Sequence, residues 1–162
     1  MRSAVYVVWE VLEDLLLEAD WPELPEAGPV RVWFGDPAVP PVDVPQGAET
    51  VTVIGALLNH EEEFATAGQI SKDETFTVGV QIFSLVPGRT ERQVRDRLCL
   101  LDAVVREVVM ATTRAADRPA ALCDVWLWGV TESRPVVGRN ETGAVGHVEI
   151  SIAVKARIKE AR

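Results

Sequence analysis

Apolar and polar residues alternate most regularly between Glu74 and Val86, where Phe76, Val78, Val80 and Ile82 oppose Thr75, Thr77, Gly79 and Gln81. A period of two puts one set on a buried face, which predicts a β-strand. Phe83 and Leu85 make the second face apolar too, so the far end is expected under cover on both sides. Such a strand would reach about 40 Å, well past the usual five or six residues. Pro87 and Gly88 then turn the chain into a long helix, opened by Thr90 and Gln93 in capping-box spacing. Its stripe is Val94, Leu98, Leu101, Val105 and Val108, with Arg92, Arg95, Asp96, Asp102, Arg106 and Glu107 around the remainder. Near the end of the chain, Ala144 to Ile158 alternates almost without fault. Val148, Ile150, Ile152, Val154, Ala156 and Ile158 are expected inward, and His147, Glu149, Ser151, Lys155 and Arg157 outward.

The other elements are shorter. Ser3 caps a first helix running to about Ala19, whose apolar positions recur every three or four residues. A short strand, Val30 to Phe34, ends at the Gly35-Asp36-Pro37 turn signal. Glu49 to Leu57 is β-rich, with Val51 and Val53 facing opposite to Thr50, Thr52 and Ile54. Asp124 to Val130 alternates Val125, Leu127 and Gly129 against Trp126, Trp128 and Val130, so the tryptophan face needs cover that a lone subunit would only partly provide. Arg134 to Thr142 is expected as a turn region. The fold class is therefore α+β: one domain over residues 1–162, with one mostly antiparallel sheet and two amphipathic helices on a single face. The order of elements is α-β-β-β-α-β-β. Strands this long should outrun their own subunit and leave sheet for a partner.

Two segments stand out as candidate contacts. Asn59 to Asp73 reads as a polar loop too long for a tight hairpin, and it carries His60, Glu61, Glu62, Glu63, Phe64 and Lys72. Asp36 to Gly47, which includes Asp43, holds four prolines that deny it regular hydrogen bonding. It is read first as a covered loop and second as a semi-rigid arm that binds a partner.

The formal charge of −9 argues against a surface that wraps nucleic acid, since such binding relies on Lys and Arg meeting phosphates. Acidic surface still suits a passage through which DNA slides. The run Ala4 to Leu17 is broken by Glu10, Glu13 and Asp14, so it reads neither as a signal peptide nor as a membrane span of about 20 apolar residues. Synthesis in the cytoplasm is expected. Cys99 and Cys123 have no ligand spacing and are expected as small core residues.

His60-Glu61-Glu62-Glu63-Phe64 starts like a zinc-protease helix but has no second histidine four residues on, so no metal is expected there. The three carboxylates read first as a solvated face and second as a contact for a basic partner. Gly138 and Gly143 have phosphate-loop spacing, yet Ala144 and Val145 stand where Lys and Ser or Thr are required. No GxGxxG or GxSxG occurs in the chain. Neither catalytic residues nor a cofactor are expected, and the chain is not read as an enzyme.

The order and spacing of these segments resemble the tail terminator, or tail completion, proteins of long-tailed bacteriophages. The carriers are the first helix, the run Glu74 to Ile82 leading through Pro87-Gly88 and Thr90 into helix two, Trp126 to Val130, and the terminal alternating strand. The resemblance implies a subunit of a ring, usually of six copies, in the virion tail neck, assembled in the host bacterial cytoplasm. Its implied partners are sister copies, the major tail tube protein and a head-side connector, with DNA passing through unbound. The candidate contacts are Asn59, Glu61, Glu62, Glu63, Phe64, Lys72, Asp36 and Asp43. Alternatives are a head-closure or head-completion protein, or a small cytoplasmic ligand-binding or enzyme domain with a pocket between sheet and helix two.

Overall fold

The computed structural model describes residues 3–64, 71–113, 119–122 and 124–159. Helix α1 (Ala4–Leu17) is followed by β1 (Arg31–Gly35), β2 (Thr50–Phe64), β3 (Ser71–Ser84) and helix α2 (Glu91–Ala111). A single 3-10 turn, Ala120–Leu122, precedes β4 (Val125–Asn140) and β5 (Gly143–Lys159). Ser3 caps α1 by accepting from the Val5 amide, and α2 begins with the expected Thr90–Gln93 capping box.

The strands form one sheet in the spatial order β1-β2-β3-β5-β4. It is mixed: β1 runs parallel to β2, and the other three pairings are antiparallel. Parallel neighbours need a crossover of a dozen or more residues, and the proline-rich stretch between Gly35 and Thr50 supplies one. Both helices pack on the same face of the sheet. There Val8, Leu12 and Leu16 of α1 and Val94, Leu98, Leu101 and Val105 of α2 meet Val80, Ile82, Ile150 and Ile152 in a single core. Helix α2 lies so close to β5 that a Cβ on Gly146 would stand 2.7 Å from Leu98 Cδ1 and 2.8 Å from Val94 Cγ1.

Two expected irregular regions are strand. Asn59 to Phe64 and Ser71 to Asp73 belong to β2 and β3, in register from Asn59↔Thr77 to Phe64↔Lys72. Their polarity signalled a loop, but ion pairs Lys72–Glu62 and Arg157–Asp73 balance much of their charge, and β5 supports β3 along its whole length. Only residues 65–70 of that expected loop remain, and they lie outside the described residues. Arg134 to Asn140 likewise continues β4, where Pro135 is tolerated because β4 is an edge strand.

Bulges decide which side chains face the core. Between Val125 and Leu127 a register shift lets Val125 share the inner face with Trp128, and both are buried. The Trp128 indole donates to the Val109 carbonyl at 3.2 Å, so the chain covers this tryptophan itself; the side chain of Trp126, the other tryptophan of the face expected partly bare, lies outside the described residues. Cys99, expected in the core, is exposed because it lies one position off the buried stripe of α2. Cys123 lies outside the described residues. Phe83, expected under cover, is 36 % exposed on the sheet face away from the helices.

Candidate functional site

The sheet ends without a neighbour on both sides among the described residues. β1 covers β2 only from Thr50 to Ile54, which leaves Gly55 to Phe64 as a free edge. β4 is the opposite border along all 16 of its residues. An uncovered row of N–H and C=O groups is a template for pairing with another chain. Exposed apolar side chains accompany these borders, Leu58 on β2 and Val136 on β4, while Leu100 and Met110 are bare along α2. The β4 border is blunted by its two bulges and Pro135, devices that discourage indiscriminate pairing.

The predicted contact residues are distributed differently from a simple loop. Two register irregularities, between Val53 and Leu57 and between Leu57 and Asn59, put three more residues in β2 than in the facing part of β3. An odd number of extra residues reverses which parity points inward. Val51 and Val53 therefore face the helices, and so do His60 and Glu62, paired opposite Phe76 and Glu74. Glu61 and Glu63 face the other way, beside Thr75 and Asp73, as does Asn59 beside Thr77. The acidic run is thus split between two faces and does not form one carboxylate surface.

Lys72 bonds to Glu62, and this bond holds the Glu62 carboxyl below its ordinary range. Arg157 does the same for Asp73 through paired bonds of 2.7 and 2.9 Å. Both pairs contribute stability that is complete above the carboxyls' unfolded pKa values and fades in acid, as pH falls through their lowered folded values. Asp36 accepts from the Ala38 amide at 2.9 Å in a turn that leaves the sheet beside Ile54, so it sits well short of Glu61 along β2. Asp43 is exposed on the proline-rich segment. The arm and the acidic run are therefore at different levels of the sheet.

That segment folds over the sheet face opposite the helices. With Trp33, Thr50, Gln81, Phe83 and His147 beneath it, it encloses a groove of about 610 Å³ lined largely by Pro, Ala, Val and Leu side chains. Its covered-loop reading fits this placement. Where a pocket between sheet and helix two was expected, a groove of about 450 Å³ is lined by Glu91, Arg92 and Arg95 of α2 and Val137 of β4, while further along the helix Leu98 and Val94 rest directly on Gly146.

Buried charge is confined, among the described residues, to Glu49, Glu74 and Arg97. Arg97 Nε donates to both Glu49 oxygens at 3.0 and 2.9 Å, its Nη2 reaches the Pro22 carbonyl, and Ser84 Oγ donates to Glu49 Oε1 at 3.0 Å. Such a saturated network ties α2 to the start of β2 and the segment after α1, and leaves no group free to act on a substrate. Sequence reading overlooked Arg97, although its place three residues after Val94 and four before Leu101 puts it on the buried stripe. Glu74 is only 1 % exposed and takes bonds on Oε2 from Ser3 Oγ at 3.0 Å and the Ala4 amide at 2.8 Å, where the N-terminus of α1 favours negative charge. No described helix is long and apolar enough to cross a membrane.

Compared with known proteins, the chain matches no family model and no curated protein sequence.

Proposed function

We propose that the chain is the subunit of a ring that caps the head-proximal end of a bacteriophage tail tube. The ring stops tube growth by occupying the site where the next tube subunit would add, and its other face offers the surface that joins tail to head. Steric capping needs no covalent chemistry. The observation that carries the reading is a sheet with four strands of 14 to 17 residues whose two borders are both without a neighbour among the described residues. Sister copies closing head to tail would cover one border of each subunit with the other. The groove beneath the proline-rich segment, mostly apolar with Gln46, Thr50, Gln81 and His147 in its lining, is the feature on the side of a ligand-binding domain.

The test combines particle images with gene removal. Purified protein should form closed rings that sit on one end of isolated tail tubes, and particles lacking it should carry overgrown tails. Heads that leak DNA behind tails of normal length would point instead to a head-closure protein. A chain that stays single at high concentration and ignores tubes would end the proposal.

The split of the acidic run sharpens the expected contact with a basic tube or neighbour. Glu61→Gln with Glu63→Gln should weaken tube binding and flatten its dependence on salt, whereas Glu62→Gln, already held by Lys72 on the other face, should change neither. Sedimentation with tubes at several salt concentrations measures both. Equal effects from all three positions would show that the face assignment does not govern docking.

A further inference from the structure

We propose that His60, Glu62 and Glu74 bind one divalent transition-metal ion of the zinc class, at the outer end of the β2–β3 pair beneath the N-terminus of α1. The inference is independent of the tail-capping reading. The reversal of parity in β2 turns His60 and Glu62 to the helix side and sets Glu62 directly opposite Glu74. Two carboxylates in direct cross-strand register repel each other unless a cation lies between them. His60 Nε2 stands 3.8 Å from Glu62 Oε1 and 3.9 Å from Glu74 Oε1. One donor atom from each of the three residues falls within 4.8 Å of the others. Ligands about 2.0–2.2 Å from a tetrahedral ion are about 3.3–3.6 Å apart, so modest side-chain rotation closes the site.

Glu74 gives the site its rigidity. Its Oε2 is locked by the Ser3 hydroxyl and the Ala4 amide, while Oε1 accepts no hydrogen bond among the described residues and is the oxygen nearest His60. A buried carboxylate with one oxygen fixed by outer bonds and the other turned toward an imidazole is oriented as ligating carboxylates are. One imidazole nitrogen with two carboxylate oxygens suits zinc and its neighbours, whereas calcium and magnesium prefer oxygen alone and more of it. The side chains of His60 and Glu62 are 33 % and 41 % exposed, which leaves a path for the ion and a fourth position for water. Lys72, bonded to the other oxygen of Glu62, competes for that carboxylate. Bound metal would clamp the free edge of β2 to β3 and to α1.

The experiment titrates the chelator-treated full chain with zinc chloride by calorimetry and thermal melting, with magnesium and calcium chlorides in parallel. One zinc per chain is expected, with a melting temperature that rises as zinc saturates and does not respond to magnesium or calcium. His60→Ala and Glu62→Gln should each weaken zinc binding by at least about tenfold. Lys72→Met should strengthen it. Cys99→Ser, which removes an exposed thiol away from the site, should leave it unchanged. Circular dichroism without metal confirms that each variant is folded; Glu74 is not altered because it also holds α1. Absence of zinc binding, binding untouched by both His60→Ala and Glu62→Gln, or binding lost with Cys99→Ser would each overturn the proposal.

Discussion

A chain carrying Leu58→Lys and Val136→Lys should run as a single copy at concentrations where the unaltered chain forms rings, and should no longer cap tail tubes. The two residues are 62 % and 51 % exposed, one beside the free stretch of β2 and the other on the border strand β4. A lysine on an exposed sheet border is how natural sheets refuse a partner strand, because its ammonium cannot be buried without a counter-charge. Leaving a charge unpaired in a contact costs about 2–5 kcal/mol, which corresponds to roughly thirtyfold to a few thousandfold in dissociation constant. Because both side chains already meet water in the single copy, its melting temperature should hardly move. Light scattering and thermal melting separate the two effects. Rings that persist in the double variant would place the subunit contact elsewhere, for which the bare Leu100 and Met110 face of α2 is the next candidate.

Arg97→Met should cost about 3–5 kcal/mol of folding stability, the largest loss expected from any single polar substitution here. It leaves Glu49, fully buried, with only the Ser84 hydroxyl, and strips a donor from the Pro22 carbonyl. Breaking one half of a buried pair strands a charge, whereas removing both halves removes the charge altogether. Glu49→Leu combined with Arg97→Met should therefore be less destabilised than Arg97→Met alone. Urea unfolding of both single variants and the double variant gives the coupling directly. Additive losses would mean that the pair is not the unit that ties α2 to β2.

Much of the architecture was legible because burial imposes period on sequence. The alternation of β3 and β5, the stripe of α2, the Ser3 cap and the Thr90–Gln93 box all follow from which side chains a helix or strand can hide. The polar end of the β2–β3 pair was not legible for the same reason. Glu61, Glu62, Glu63 and Asp73 show no apolar period, and the cations that let them form strand, Lys72 and Arg157, come from other strands. Parallel pairing of β1 was also hidden, since direction is set by the path of the proline-rich crossover rather than by the strand residues. Bulges were invisible as well, and they reassigned Val125, Trp128, His60 and Glu62 to faces that plain alternation denies them.

The sequence by itself determined that this is an α+β chain with two amphipathic helices and unusually long strands, because hydrophobic periodicity is a local property that survives without coordinates. Only the tertiary structure decided that the borders of β2 and β4 lack neighbours among the described residues, that Arg97 meets Glu49, and that His60 converges with Glu74. Those are relations between residues 14 to 48 positions apart, and no local pattern encodes them. Strand register and helix docking bring such groups together once the apolar faces have closed, and their chemistry follows from that closure.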